Sequence, residues 1–541
     1  VAGSNAPPAL TVSVNGVGAV SDAQLNSFMQ SGALAANLRQ FTGLNSMTAY
    51  LVGLTSQGDG GQGVFVFNSA STAADDGENV IAPSGSLQGR WLRQSGAGLM
   101  ILFPTIAALR ASTASPPPST VVFVEGYYVG ADGGEGLFWL DAADTSSADN
   151  SGTIIVDAAG NRWYRECNRE VYNIHWFGVP ISGDSTPALT AAFAALPTNG
   201  GRIGFKQQKY TFSSGMVTLT YPSAKPFSLT LEGAGQSSTT LYWAASNGLA
   251  INVSDQSHTI HIRDLSLTTG SPGTYNAVTV TQTGFSGSTP GNDFTNLTFE
   301  ADYSGSNANF WSSGILISAL SFVNYNGVIV YGANTTGVGI RVAGSSPNYA
   351  IEHNLQGCSF TGLSSGFEYG DYVQGVSMSQ CNFESDSANG AHIFVLPSAA
   401  GVLSQLSVSL CQFGGSMGGN PITVESSLGD LHFDSNLVFV STTSTAILVT
   451  TTGALVSSSI IGNDFSGLGG GTGIFVENNG TLGSGTSFGT TVIGNTFSDL
   501  TTGVVLGTGT TLFNVQANAY PNTPTKVTDN GSLNNVGTAS P

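Results

Sequence analysis

From about residue 226 onward, short apolar runs alternate with Asn, Gly and Ser, the pattern of brief strands joined by tight turns. A tripeptide ending in an aromatic recurs: Leu297-Thr298-Phe299, Leu320-Ser321-Phe322, Cys358-Ser359-Phe360, Cys381-Asn382-Phe383, Cys411-Gln412-Phe413, Leu437-Val438-Phe439, Asn463-Asp464-Phe465, Asn495-Thr496-Phe497 and Asn518-Ala519-Tyr520. On a strand the first and third positions share a face. The aromatic-to-aromatic steps are 23, 38, 23, 30, 26, 26, 32 and 23 residues. A recurring minimum with variable excess predicts the coils of a right-handed parallel β-helix with insertions looping out of some turns. Equivalent positions then stack about 4.8 Å apart. On that spacing Cys358, Cys381 and Cys411 form an interior ladder of unbonded thiols, and Asn463, Asn495 and Asn518 an Asn ladder at a corner. A sandwich or propeller would need more regular repeats or hairpin signals.

Ahead of the solenoid one unit occurs twice, over residues 59–93 and 132–165. Asp59 pairs with Asp132, and Arg90-Trp91 with Arg162-Trp163; each copy has a Gly-rich turn, an alternating apolar strand, a polar Ala/Asp/Ser loop and a second strand. Ordered matches of this kind imply a duplicated small β-module. Helices are expected over residues 23–41, over 105–111, and over 185–196, where Ser185 would cap a run with Pro187 in its first turn. A strand follows at Gly200–Phe205. The expected organisation is a lead with a short helix (1–49), a first β-module (50–100), a linker and second module (101–170), a joint and helix capping the solenoid (171–225), the parallel β-helix (226–520) and a tail (521–541). The fold class is therefore all-β, a right-handed parallel solenoid preceded by small duplicated β-modules and a short N-terminal helix.

Composition narrows the partners. The chain has 541 residues, 72 of them Gly, with 40% hydrophobic and only 9% charged, which suits a turn-rich β-protein with a real core rather than disorder. Thirty-three acidic residues against 14 basic ones give a formal charge of −19, so nucleic acid is excluded as a natural partner. No apolar run is long enough to insert in a membrane. The chain starts without Met or a basic-then-apolar leader, so Val1 is expected to follow a trimmed or processed end. The four cysteines do not form a secreted disulfide framework, and no ligand set for a metal or cofactor is evident. His258 and His261 are close to ligand spacing, but a three-residue offset on a strand puts them on opposite faces.

The paired modules closing on Arg-Trp, the joint over residues 171–184, Gly183-Asp184-Ser185-Thr186 before a helix, Gly200-Gly201-Arg202-Ile203-Gly204-Phe205, and the solenoid together resemble bacteriophage tailspikes. More broadly they are similar to tailspike-like polysaccharide depolymerases of the pectate-lyase-type β-helix group, across most of residues 50–520. One departure stands out: the family's GDG-x-x-DDT before the helix is reduced to Gly183-Asp184-Ser185-Thr186, without the Asp pair. The resemblance implies a homotrimer that binds a bacterial surface polysaccharide (capsule, O-antigen or exopolysaccharide). It also implies an extracellular or virion-associated place, or secretion by a bacterium. It does not fix the chemistry, since this fold serves hydrolases, lyases and pure binders.

Glycoside hydrolysis requires two carboxylates, about 5–5.5 Å apart for retention and roughly 6.5–9.5 Å for inversion, distances that neighbouring coils supply. Acidic clusters in the solenoid are few. Glu368, Asp371, Glu384 and Asp386 are the leading catalytic candidates; Glu300 and Asp302 are the next. Tyr369, Tyr372 and Trp311 are the expected sugar platforms. A lyase needs a cation and a base. Between residues 226 and 525 there is no Lys and only Arg263 and Arg341, although His353 and His392 keep a lyase open. A lyase or esterase and a non-catalytic glycan-binding spike remain the alternatives to a hydrolase.

Overall fold

The computed structural model describes residues 34–40, 42–43, 45, 47–56, 59, 61–94, 101–118, 120–167, 171–221, 226–254, 257–284, 291–301, 309–332, 337–384, 390–397, 403–414, 419–477 and 487–537. The chain divides into two compact units, Val1–Asn168 with His175–Gly178, and Arg169–Ile174 with Val179–Pro541.

The first unit carries the duplication. Strands Thr48–Leu51, Gly63–Asn68, Val80–Ile81 and Arg90–Arg93 form an antiparallel sheet in the order first, second, fourth, third. Strands Val121–Val124, Gly136–Asp141, Ile154–Val156 and Arg162–Arg165 repeat that order, with Ile101–Phe103 added parallel to the first of them. The equivalences reach the side chains. Trp91 and Trp163 are buried opposite Ile81 and Ile155. Short helices Ala35–Arg39 and Ile106–Arg110 each end in an arginine paired with a loop carboxylate, Arg39 with Asp75 and Arg110 with Asp149. Of the helix expected over 23–41, residues 23–33 and 41 lie outside the described residues.

Repetition in the sequence therefore has a structural cause. Asp59 accepts the amides of Leu54, Thr55, Ser56 and Gly61; Asp132 accepts those of Tyr127, Tyr128, Val129 and Gly134. The carboxylate of each DGG turn gathers amides that the sheet leaves unpaired. Burial pushes Asp59 up, but its amide donors outweigh this and hold it at about 2.

The second unit is a parallel β-solenoid with three strand lines. One coil runs through Ala350–Gln356, Ser359–Thr361 and Ser365–Tyr369; the next through Val373–Ser379, Asn382–Glu384 and Ala391–Val395; the next through Leu403–Ser409, Gln412–Gly414 and Asn420–Val424. The third line alone is a sheet of 12 parallel strands, from Val217–Thr220 to Thr525–Asp529. A helix, Thr186–Ala194, precedes the coils. Its expected cap, Ser185, makes no side-chain capping bond; Asp184 takes that part, accepting from the Thr186 amide at 3.1 Å and the Ser213 amide at 3.0 Å. A carboxylate reaches further than a serine hydroxyl and can tie two segments at once.

The corner between the first and second lines explains the recurrent tripeptide. Gln380, Leu410, Ser435 and Ala517 adopt left-handed φ of 54°, 54°, 58° and 52°, and glycine supplies the same turn at residues 357, 462 and 494. The following residue points inward, giving one column: Cys358, Cys381, Cys411, Asn436, Asn463, Asn495, Asn518. Thiol and Asn ladders, expected separately, are thus two stretches of the same column. Asn side chains accept the amide one coil back, Asn436 from Cys411 at 2.9 Å, Asn463 from Asn436 at 2.8 Å, Asn495 from Asn463 at 3.0 Å and Asn518 from Asn495 at 2.8 Å. Cys411 does the same more weakly, its Sγ accepting from the Cys381 amide at 3.4 Å. Inside this column rings stack, Phe360 on Phe383 at 5.0 Å, Phe383 on Phe413 at 4.9 Å, and Phe465 on Phe497 at 4.9 Å.

Two tripeptides do not follow that reading. Asn436, not Leu437, holds the inward corner position, so Val438 sits between Phe413 and Phe465, and Phe439 turns outward with 44% exposure. A one-residue slip flips every side chain of a strand. Phe322 lies at a left-handed corner, φ 56°, and Phe299 is followed in the stack by Val330.

Candidate functional site

The slip at Asn436 creates a groove. On the outer face of the second strand line, Thr361, Glu384 and Gly414 occupy one column on successive coils. Phe439, one coil further on, lays its ring beside Gly414, with Cδ2 3.8 Å from where a Cβ would stand. Because Gly414 has no side chain, a notch opens between the Glu384 carboxylate and the Phe439 ring. It is a groove of about 500 Å³, with Asn382 and Gln412 from the neighbouring column, Val440 at the strand end and Ser441 past it, and Leu468 at its rim. An acid facing an aromatic plate, with amides between, can hold a sugar ring by stacking and hydrogen bonds and can place a proton donor or a base beside it.

The structure distributes the expected site residues unevenly. Glu384 is in the groove. Asp386 and Asp302 lie outside the described residues. Glu368 stands on the third strand line, a different sheet, between Arg341 and Phe394 in register. It is 8% exposed, and its carboxyl is raised by burial, opposed by Arg341, whose Nη1 lies 3.5 Å from Oε2, and by Ser365. Asp371 follows at the turn into Val373–Ser379 and is half-buried, its carbonyl accepting from the Gly344 amide at 2.6 Å. Tyr372, also half-buried, meets Tyr349 edge-on at 5.4 Å and has φ 54°. Glu300, half-buried on an earlier coil, is raised by burial.

Two of the expected sugar platforms are corrected. Tyr369 is 0% exposed and its hydroxyl donates to the carbonyls of Val373 and Ser404, at 3.1 and 2.6 Å. Trp311 is 2% exposed, its indole donating to the Leu267 carbonyl at 3.0 Å. Both are core residues whose polar atoms find backbone partners, so neither ring is available to a ligand. The exposed aromatic of the groove, Phe439, was hidden because its tripeptide looked like another member of the internal stack. Gly414 was hidden because a glycine after an aromatic carries no chemical signal. The one legible clue was Asn436, an Asn immediately before the tripeptide.

The histidines that kept other chemistry open are structural. His353 is buried between the Tyr325 hydroxyl at 3.1 Å and the Leu320 carbonyl at 3.1 Å, and burial pushes it down to about 3. His392 is buried beside Phe383 and Phe413, and burial likewise holds it at about 3. His258 is buried, accepting from the Phe227 amide at 3.1 Å, while His261 lies on the outer face 3.0 Å from Asp293. Among the described residues there is no cluster of His, Cys, Asp and Glu suited to a metal, and no helix is long and apolar enough to cross a membrane.

Known proteins match both units. The phage tail protein small four-stranded β-sheet domain matches residues 35–96 and 102–168, the two modules described above. The chain is similar to the crystal structure of full-length tailspike protein 2 from Escherichia coli O157:H7 bacteriophage CAB120, at 16% identity and TM-score 0.51, over 72% of this chain and 51% of that one. It is also similar to the enzymatically active domain of bacteriophage CBA120 tailspike protein 2, at 15% identity and TM-score 0.51, over 75% of this chain and 57% of that one. At such identities the likeness is one of fold, and the chain spans about half the length of these tailspikes. The chain thus joins two modules of the phage-tail four-stranded type to a parallel β-solenoid that shares its fold with tailspikes.

Proposed function

We propose that this chain is the glycan-degrading part of a virion-borne tailspike, and that it hydrolyses a bacterial surface polysaccharide in the groove between Glu384 and Phe439. The observation carrying this reading is the groove itself: a carboxylate opposite an exposed aromatic, separated by a missing side chain, on a solenoid of the tailspike type. The similar domain of the bacteriophage CBA120 tailspike is enzymatically active, which supports an enzyme here. Glu384 would supply one of the two carboxylates that hydrolysis needs, with Asp386, two residues on in the sequence, the first choice for the other. Glu368 and Asp371 follow, then Glu300 and Asp302.

The loss of His353 and His392 to the core, with no Lys across residues 226–525, weighs against a lyase. A homotrimer belongs to the same proposal. On the third strand line the outward column through Leu316, Phe394, Leu448, Phe475 and Val505 is half-buried and apolar, interrupted by the Arg341–Glu368 pair and by Thr423. Packing of three chains would cover it and would leave the second-line groove open to glycan.

The test is depolymerisation of polysaccharide from a susceptible bacterium by wild type, Glu384→Gln and Asp386→Asn, read as new reducing ends. A loss of at least about 100-fold for Glu384→Gln, with glycan still bound, supports the reading. Full activity in that variant removes Glu384 from the chemistry, and products absorbing as unsaturated uronates would make the enzyme a lyase.

A further inference from the structure

We infer that the Glu384 groove selects neutral sugars carrying methyl or acetamido groups, and that Gly414 sets its width. This rests on the reading of the groove as the glycan seat.

Charge makes the first argument. Among the described residues Glu384 is the one ionisable group lining the groove; the other polar members are amides and hydroxyls such as Asn382, Gln412 and Ser441. Among the described residues no guanidinium or ammonium group lines it to neutralise a uronate or sialate carboxylate, which would instead meet Glu384. Three arginines of the second unit are committed elsewhere. Arg202 and Arg263 both face Glu232, at 3.2 and 3.5 Å, and Arg341 faces Glu368 on another sheet. Following the register from Arg263 through Thr295, Asn326 and Gln356 to Ser379 takes four coils before the groove's first strand, roughly 19 Å at about 4.8 Å each. At that range solvent screens most of the field of Arg263.

Apolar surface makes the second. Phe439 is 44% exposed and Leu468 82%, and the buried Val440 lies with them in the lining. Such a wall matches the C–H face of a pyranose and the methyl of an acetamido or 6-deoxy group.

Gly414 makes the third. Its backbone is not in the left-handed region that would call for glycine. Among the described residues a Cβ there meets nothing closer than the Phe439 ring at 3.8 Å, so neither backbone conformation nor packing against them requires a glycine. What the missing side chain does is keep the space between acid and ring open. A larger residue would point outward into that space and leave the stacked core untouched.

The experiment uses the full chain with two probes at millimolar concentration, tri-N-acetylchitotriose and trigalacturonate, read by saturation-transfer NMR. Wild type and Gly414→Ala should bind the neutral trimer through its acetamido methyls and give no signal with the acidic one. Gly414→Leu should weaken the neutral probe by roughly tenfold or more while its thermal unfolding stays at the wild-type midpoint. Trigalacturonate binding that equals or exceeds the neutral probe, and that Gly414→Leu abolishes, overturns the neutral selection and leaves the groove as the glycan seat. Absence of both signals in wild type, or a neutral signal indifferent to Gly414→Leu, overturns the groove itself. A Gly414→Leu protein with a lowered midpoint would refute the claim that the position is free of the core.

Discussion

The amide of Cys411 donates to Oδ1 of Asn436 at 2.9 Å, and at that bond a column of thiols becomes a column of carboxamides. Both residue types sit just after a left-handed corner and accept an amide that the strand ladder leaves exposed at the bend. A sulfur is a weak acceptor and a carboxamide a good one. Asn436 also donates, to the Val408 carbonyl at 3.0 Å and to Asn463 at 3.0 Å, so it closes three bonds in a buried site. Asn436→Ala should therefore cost about 1–3 kcal/mol, the penalty for orphaning buried polar groups, and Cys411→Ala distinctly less. Denaturant unfolding of the two variants checks the order, and equal losses would count against the acceptor argument.

Outward and inward aromatics should separate cleanly by assay. Phe439→Ala is expected to raise KM for polysaccharide while the unfolding midpoint holds. Tyr369→Phe removes a hydroxyl with two buried carbonyl partners and should cost roughly 1 kcal/mol of stability with KM unchanged. Trp311→Phe should behave like Tyr369→Phe. A raised KM in either core variant would return that ring to the ligand contacts.

Acid should loosen the solenoid through two histidines. His353 and His392 are held neutral at about 3 in the folded chain, against roughly 6.5 when unfolded. Their folded values are depressed, so the unfolded chain binds more protons between these limits. Stability is then complete above about pH 6.5 and falls as pH drops towards 3. His353→Gln and His392→Phe should each flatten the decline in unfolding midpoint between pH 6.5 and 4, limits set by those same values. An unchanged slope in both variants would show that carboxylates alone drive it.

The duplicated turns should respond alike. Asp59→Asn and Asp132→Asn each turn an acceptor-only carboxylate into a group with two donors facing four amides, and each should destabilise the first unit by roughly 1–3 kcal/mol. For Asp59, depressed to about 2, the stabilisation is present above its unfolded value near 4 and is lost as pH falls towards 2. Limited proteolysis of the modules reads both effects, and resistance of either variant equal to wild type would contradict the shared role.

Glycan cleavage and assembly should be separable. Charge reversal at Arg341, which interrupts the apolar third-line column, is expected to disrupt a trimer before it touches the groove. Light scattering gives the mass and a reducing-end assay the activity. A wild-type protein that runs as a monomer at micromolar concentration would end the trimer proposal.

What the sequence alone determined is what repeats. The matched Asp59 and Asp132, the two Arg-Trp pairs and the spaced Cys/Asn-x-aromatic units each report a local packing solution used again, and repetition is visible without coordinates. That carried the module duplication, the parallel solenoid and the inward placement of the cysteines. What only the tertiary structure decided is where the repeat slips and which coils lie side by side. Asn436 takes the corner position and turns Leu437-Val438-Phe439 over, exposing Phe439 beside Gly414 and one coil beyond it Glu384. Glu368, 16 residues from Glu384 in sequence, ends on another sheet, while Tyr369 and Trp311 sink into the core. The reason is the strand's period of two: one residue of register moves a side chain from core to solvent, and side-chain identity alone does not reveal which register closes the coil.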